Sequence, residues 1–225
     1  TDALPEANET VIVNMGTPTN ATASGTTTHT ATIRDDDSPT VQFTAASQAS
    51  VGESGTMTIT AQLSATSGVD VSIPFTINGT STASGSDYSI TASPLTITAG
   101  QTTATITITI TADTTDEPNE TIVVNMGTPT NANASGTTTH TATITDDDNG
   151  PTVAFTATTS NGGEATTAVT IPVTLAAASG QTVTVGYSVT GGTATSGGTD
   201  FTLLGTGTLT FNPGVTSQDV SVTVV

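Results

Sequence analysis

Apolar and hydroxyl side chains alternate along much of this chain. Ala104, Ile106, Ile108 and Ile110 are separated by Thr105, Thr107 and Thr109, and Val220, Val222 and Val224 by Ser221 and Thr223. A period of two marks a strand with one buried and one wetted face. Threonine is β-branched and suits the wetted face. The pattern predicts strands over 40–45, 56–63, 69–77, 88–91, 95–98, 103–111, 120–126 and 137–145. Turn clusters divide them at 64–68, Asn78-Gly79, 84–86, Ala99-Gly100, 116–118 and 127–136. No window carries helical periodicity. Short strands spaced by Gly, Asn, Asp and Pro predict an antiparallel two-sheet sandwich. Its expected core is Val41, Phe43, Met57, Ile59, Leu63, Val71, Ile73, Phe75, Ile77, Ile106, Ile108, Ile110, Ile122, Val124, Ala142 and Ile144.

The same chain repeats itself. Asn8 to Asn20 recurs as Asn119 to Asn131, Gly25 to Ile33 as Gly136 to Ile144, and Asp35 to Asp37 as Asp146 to Asp148. A looser match follows: Pro39 to Phe43 with Pro151 to Phe155, Glu53 with Glu164, and Gly85 to Tyr88 with Gly198 to Phe201. Such self-similarity signals tandem units. The expected organisation is one complete unit at 39–149, the last part of a unit at 1–38, and the first part of another at 150–225. Gly214 corresponds to Gly100, and Asp2 to Asp113. If Thr1 followed Val225, the two fragments would join without a gap. The 225 residues thus read as two periods cut at an arbitrary phase.

Composition sharpens this picture. Hydrophobic residues make up 33% of the chain, below the roughly 45–50% usual for soluble domains. Low hydrophobicity with high charge is also a mark of disorder, but the strict alternation argues against it. The 59 threonines supply the solvent side of the sheets. The net charge is -18, with Arg34 the one basic side chain besides two histidines. That balance excludes nucleic acid and anionic membrane surfaces as partners. No apolar run approaches the roughly 18 to 20 residues that span a bilayer, and no signal segment opens the chain, so the expectation is a soluble, mature or internal piece. With no cysteine there is no disulfide, and with no lysine no isopeptide bond. The core is modest, so a bound cation would matter for stability.

The acids are placed in a pattern. The complete unit carries Glu53 at the entry to its second strand, Asp87 in a turn, Asp113, Asp116, Glu117 and Glu120 in one connection, and Asp146, Asp147 and Asp148 at its close. In a Greek-key sandwich such connections converge at one end, where uncompensated carboxylates repel. A hard divalent cation is the natural counterion. Ca2+ takes six to eight oxygens, whereas Zn2+ recruits His or Cys. Neither accompanies these acids.

Val51-Gly52-Glu53, Gly85-Ser86-Asp87-Tyr88, Asp113 followed by Glu117-Pro118-Asn119-Glu120-Thr121, and Ile144-Thr145-Asp146-Asp147-Asp148 together resemble the Calx-beta domain. The resemblance covers the whole chain as one complete and two partial copies. It implies an all-β fold of tandem seven-stranded antiparallel Greek-key (Ig-like) β-sandwiches with Ca2+ at one end. By motif match the implied ligands are Glu53, Asp87, Asp113, Glu117, Glu120, Asp146, Asp147 and Asp148. A second site is split between the fragments: Glu164 and Asp200 in the last, Asp2, Glu6, Glu9, Asp35, Asp36 and Asp37 in the first. Multi-ion members of the family carry a run of aspartates where Thr111-Ala112-Asp113 stands here, which implies fewer ions and weaker affinity.

The functional expectation is a calcium-stabilised structural repeat of an extracellular fibre or large bacterial cell-surface adhesin. Its partners are expected to be copies of itself or neighbouring repeats, head to tail, with strands completing the partial units. A calcium-sensing module is the alternative. Catalysis is not expected: pairs such as Glu117 and Glu120 have the residue types for acid-base work, but no substrate cleft is suggested around them. With two Tyr and no Trp, no aromatic platform for glycans is expected. His29 and His140, equivalent by repeat, read as ordinary exposed or edge-strand residues. The five Asn-X-Thr/Ser matches follow from threonine abundance.

Overall fold

The computed structural model describes residues 5–50, 52–161, 163–164, 168–204 and 207–225. Among these the chain is all β, with nineteen strands and no helix. It forms two compact units: Thr1–Thr111 with Glu120–Ile144, and Ala112–Asn119 with Thr145–Val225.

The first unit opens with an isolated antiparallel hairpin of β1 (Glu9–Asn14) and β2 (Thr28–Ile33), with Glu9 opposite Ile33 and Asn14 opposite Thr28. Both strands are exposed along their whole length. Next come β3 (Thr40–Phe43), β4 (Ser47–Ala49), β5 (Thr56–Leu63), β6 (Val71–Ile73), β7 (Phe75–Ile77), β8 (Tyr88–Ile90), β9 (Leu95–Ile97), β10 (Thr103–Ile110), β11 (Glu120–Met126), β12 (Asn133–Ala134) and β13 (Thr139–Ile144). They form one sheet ordered β12-β3-β5-β10-β8, a second ordered β4-β13-β11-β7, and the pair β6-β9.

The register follows from the alternation. Ile106 lies opposite Ile59 and Ile108 opposite Met57, so the apolar positions of β5 and β10 share one face and the threonines the other. The core contains every expected residue except Ile77, which sits on the edge strand β7 and is 36% exposed. It also takes in Ala61, Leu95, Ile97 and Ala132. Pro74 has no N–H to give to a ladder, and it divides the expected 69–77 strand into β6 and β7.

Two pairings depart from the antiparallel expectation. The first strand of the sandwich breaks after Phe43: β3 runs parallel to β12 in one sheet and β4 parallel to β13 in the other. Crossing between the sheets lets this segment close an edge of each.

His140 corrects the reading of an exposed or edge histidine. β13 pairs on both sides, with β11 and β4, and the His140 ring is buried. Its Nδ1 hydrogen-bonds the Ala45 carbonyl at 2.7 Å, and the ring meets Phe43 edge-on. The repeat-equivalent His29 is exposed.

The second unit contains β14 (Val153–Phe155), β15 (Val169–Leu175), β16 (Val183–Gly186), β17 (Phe201–Leu204), β18 (Thr208–Phe211) and β19 (Ser217–Val224). One sheet is ordered β14-β15-β19-β17, and β16 pairs with β18. Val173, Leu175, Leu209, Phe211 and Val220 form its small core.

Candidate metal centre

Two loops carry the central acids, and hydrogen bonds between them fix their course. Asp113 turns the 112–119 loop by accepting from the Thr115 N–H at 2.7 Å. The Asp146 carboxylate accepts from the Glu117 N–H at 3.0 Å, and the Asp146 N–H donates to Asn119 Oδ1 at 3.0 Å. Within the second unit, carboxylate oxygens of Asp113 and Asp148 lie within 4.8 Å of each other. Asp148 Oδ2 is shielded from solvent and has no hydrogen-bond donor. Its carboxyl is raised above the ordinary aspartate range, first by burial and then by the charges of Asp146, Asp147, Asp113 and Asp116. Such an oxygen among like charges is costly unless a cation compensates it.

Asp87 sits in a different environment. Its carboxylate accepts from the Ser84 N–H and, at 3.0 Å, from the Ser86 hydroxyl. Burial pushes this group up, but the Ser84 hydroxyl and N–H, the Ser86 hydroxyl and the Glu120 carboxyl outweigh it and hold it below 3.8. Glu120 is the smallest of these contributors.

Asp116, which the sequence places among the converging acids, turns to other partners. Oδ2 accepts from the Ser179 hydroxyl at 2.6 Å, and Oδ1 from Gln181 Nε2 at 3.1 Å. Gly180 donates its N–H to the Asp116 carbonyl at 2.8 Å. A Cβ at Gly180 would lie 2.8 Å from Glu117 Cγ, so the close approach of the Glu117 side chain requires glycine there. Sequence reasoning missed Ser179 and Gln181. The one signal was the recurrence of Ser67-Gly68 as Ser179-Gly180.

The fragment acids fall into two groups. Glu6, Glu9, Asp35, Asp36 and Asp37 line one cleft together with Ile33 and Arg34. In the second unit Glu164 is exposed, and the Asp200 carboxylate accepts from the Thr195 N–H at 2.6 Å. Asp2 lies outside the described residues.

The donor set suits a hard ion. Asp113 and Asp148 offer up to four carboxylate oxygens, and an exposed Asp113 leaves room for water. Zn2+ favours imidazole or thiolate, and the imidazole of His140 is held in the core. Ca2+ fits the oxygen-only cluster and the partnerless Asp148 oxygen.

The Calx-beta domain family matches residues 34–148 and again 146–225. No curated protein matches the chain. Among solved structures, CBD12 from CALX1.2 is 18% identical over 83% of this chain and 75% of its own, with a TM-score of 0.45. The calcium binding domain CBD12 of CALX1.1 is 15% identical over 80% and 74%, with a TM-score of 0.45. The apo-form Calx CBD1 domain is 15% identical over 50% of this chain and all of its own, with a TM-score of 0.43. Calx-beta domains are calcium-binding modules, and the family is one of binding and regulation rather than catalysis. With two matches that together run from Arg34 to Val225, the chain belongs to the Calx-beta domain family.

Proposed function

We propose that this chain is a structural, calcium-stabilised repeat module of an extracellular fibre or large cell-surface adhesin. The observation that carries the reading is the Asp148 carboxylate, with one oxygen buried and partnerless beside Asp113. A cation there offsets repulsion that a chain without lysine has little means to relieve. Glu53, Asp113 and Asp148 are the proposed first ligands, and Asp146 and Asp147 lie on the same loop. Asp87, Glu117 and Glu120 complete the proposed ligand set. The second site is proposed to draw on Glu164 and Asp200 together with Asp2, Glu6, Glu9 and Asp35 to Asp37. The ion supplies charge neutralisation and cross-links the loops that carry its ligands. A net charge of -18 and long threonine faces suit a hydrated extracellular array.

Thermal unfolding of the purified chain in millimolar CaCl2 and in EDTA tests this. Calcium is expected to raise the Tm markedly, and an unchanged Tm would overturn the reading. Calorimetric titration separates the structural role from a sensor, since saturation at micromolar calcium with a change of shape would favour sensing.

A further inference from the structure

We propose that Asn149 is a self-modification site: the backbone nitrogen of Gly150 displaces its side-chain amide, and hydrolysis of the resulting cyclic imide leaves a carboxylate one residue after Asp148. The conversion itself needs no bound ion. Its effect on the metal centre rests on the calcium reading above.

Such a ring closure needs a neighbouring amide nitrogen that can reach the side-chain carbonyl carbon, a main chain free to turn toward it, and water. A glycine next in the chain has no Cβ to block the approach. The sequence holds three such pairs, Asn78-Gly79, Asn149-Gly150 and Asn161-Gly162. Gly162 lies outside the described residues. The structure treats the other two in opposite ways.

Asn78 is pinned. Its N–H donates to the Val123 carbonyl at 2.8 Å, and its carbonyl accepts from the Ser81 N–H at 3.0 Å. Its Oδ1 accepts from the Thr80 N–H at 3.0 Å and from the Thr80 hydroxyl at 3.1 Å. Closing the ring changes both the main-chain and the side-chain torsions of the asparagine. Hydrogen bonds on either side of Asn78 resist that change, so reaction there waits for local opening.

Asn149 carries none of these restraints. It is exposed and lies in the 145–152 stretch, which has neither strand nor turn. Among the described residues no hydrogen bond engages its side chain, its backbone or the Gly150 N–H. A Cβ built on Gly150 would meet nothing nearer than Asp116 Oδ2 at 3.8 Å, so the flank of the attacking nitrogen is open.

The step balances with water alone. The Gly150 nitrogen gives its proton to water and bonds Asn149 Cγ, the Cγ–Nδ2 bond breaks, and the amide leaves as ammonia after taking a proton. Water then adds to one of the two imide carbonyls and reopens the ring, giving an aspartyl or an isoaspartyl residue at position 149. The net exchange, amide and water for carboxylate and ammonium, adds one negative charge to the -18 of the chain. The aspartyl product extends the Asp146-Asp147-Asp148 run by one ligand-grade carboxylate.

The folded chain is incubated in EDTA at mildly alkaline pH, and conversion at each asparagine is followed by peptide mass spectrometry. Position 149 is expected to convert roughly tenfold or more faster than position 78, and in urea the two rates are expected to converge. Gly150→Ala, for which the structure has room, is expected to slow position 149 by roughly tenfold or more. Equal rates at 149 and 78 in the folded chain, or a rate at 149 unmoved by Gly150→Ala, overturn the inference. Asn149→Asp carries the product's charge from the start and is expected to enlarge the rise in Tm that millimolar CaCl2 produces in the parent. A rise equal to the parent's overturns the ligand role of the product. A parent whose Tm ignores calcium overturns the calcium reading instead, and the conversion rates in EDTA still decide the modification.

Discussion

The Ser179 hydroxyl donates to Asp116 Oδ2 at 2.6 Å, and the same oxygen of Ser179 accepts from the Gln181 N–H at 3.0 Å. The arrangement has a relative one period earlier. There the Gly68 N–H donates to the Pro5 carbonyl at 2.6 Å, as Gly180 does to Asp116 at 2.8 Å, and the Ser67 hydroxyl accepts from Val69 N–H at 3.2 Å. Ser67 and Ser179 are both buried. What differs is the acceptor: Ser67 Oγ donates to the Val69 carbonyl at 2.7 Å, Ser179 Oγ to a carboxylate.

That difference sets the first prediction. A hydrogen bond to a charged group contributes roughly 1.5–3 kcal/mol, a neutral one roughly 0.5–1.5. Ser179→Ala should therefore lower the unfolding free energy in urea more than Ser67→Ala does. Equal losses would show that the Asp116 carboxylate adds nothing to the Ser179 contact.

The two histidines supply an internal control. His140 fills the core against Phe43 and bonds the Ala45 carbonyl, while His29 is exposed. His140→Ala leaves a cavity and removes the hydrogen bond to the Ala45 carbonyl, so a loss of roughly 2–4 kcal/mol is expected. His29→Ala should stay within about 0.5 kcal/mol. Matching losses in the two variants would mean that His29 is packed as His140 is.

Asp87 gives a pH dependence of known sign. Its folded pKa is depressed below 3.8, so its contribution is present above the unfolded value and is lost as pH falls through the folded one. Asp87→Asn should remove part of the acid limb of the stability curve, most visibly below about pH 4. Tm measured from pH 7 to pH 2.5 checks it, and an acid limb identical to that of the parent would exclude the Asp87 contribution.

The strands were legible because one rule, alternation, governs them locally. The ends of β5 and β11 coincide with the expected 56–63 and 120–126. His140 was misread although parity placed it with Ala142 and Ile144, because a polar side chain masked a buried position. The meeting of Asp113 with Asp148 was legible only as convergence of loops, since it depends on how the 112–119 and 145–148 segments fold together. The diversion of Asp116 to Ser179 was not legible at all. No local period encodes a partner so far along the chain, and only the recurring Ser-Gly pair hinted that the position is used.

Asp148 allows the calcium reading to be tested in two directions at once. Its carboxyl is raised by burial and by Asp146, Asp147, Asp113 and Asp116. A raised acid contributes stability that is complete below the unfolded value and is lost as pH rises through the folded one. At neutral pH without metal, the charge on Asp148 is therefore a liability, and Asp148→Asn should raise the Tm in EDTA. With calcium the same charge is a ligand, and the variant should lose much of the calcium-induced increase. The two Tm curves should cross: the variant above the parent in EDTA, below it in millimolar calcium. If Asp148→Asn lowers the Tm in both buffers, Asp148 holds the loop by some other contact. If it raises the Tm in both, no ion binds through it.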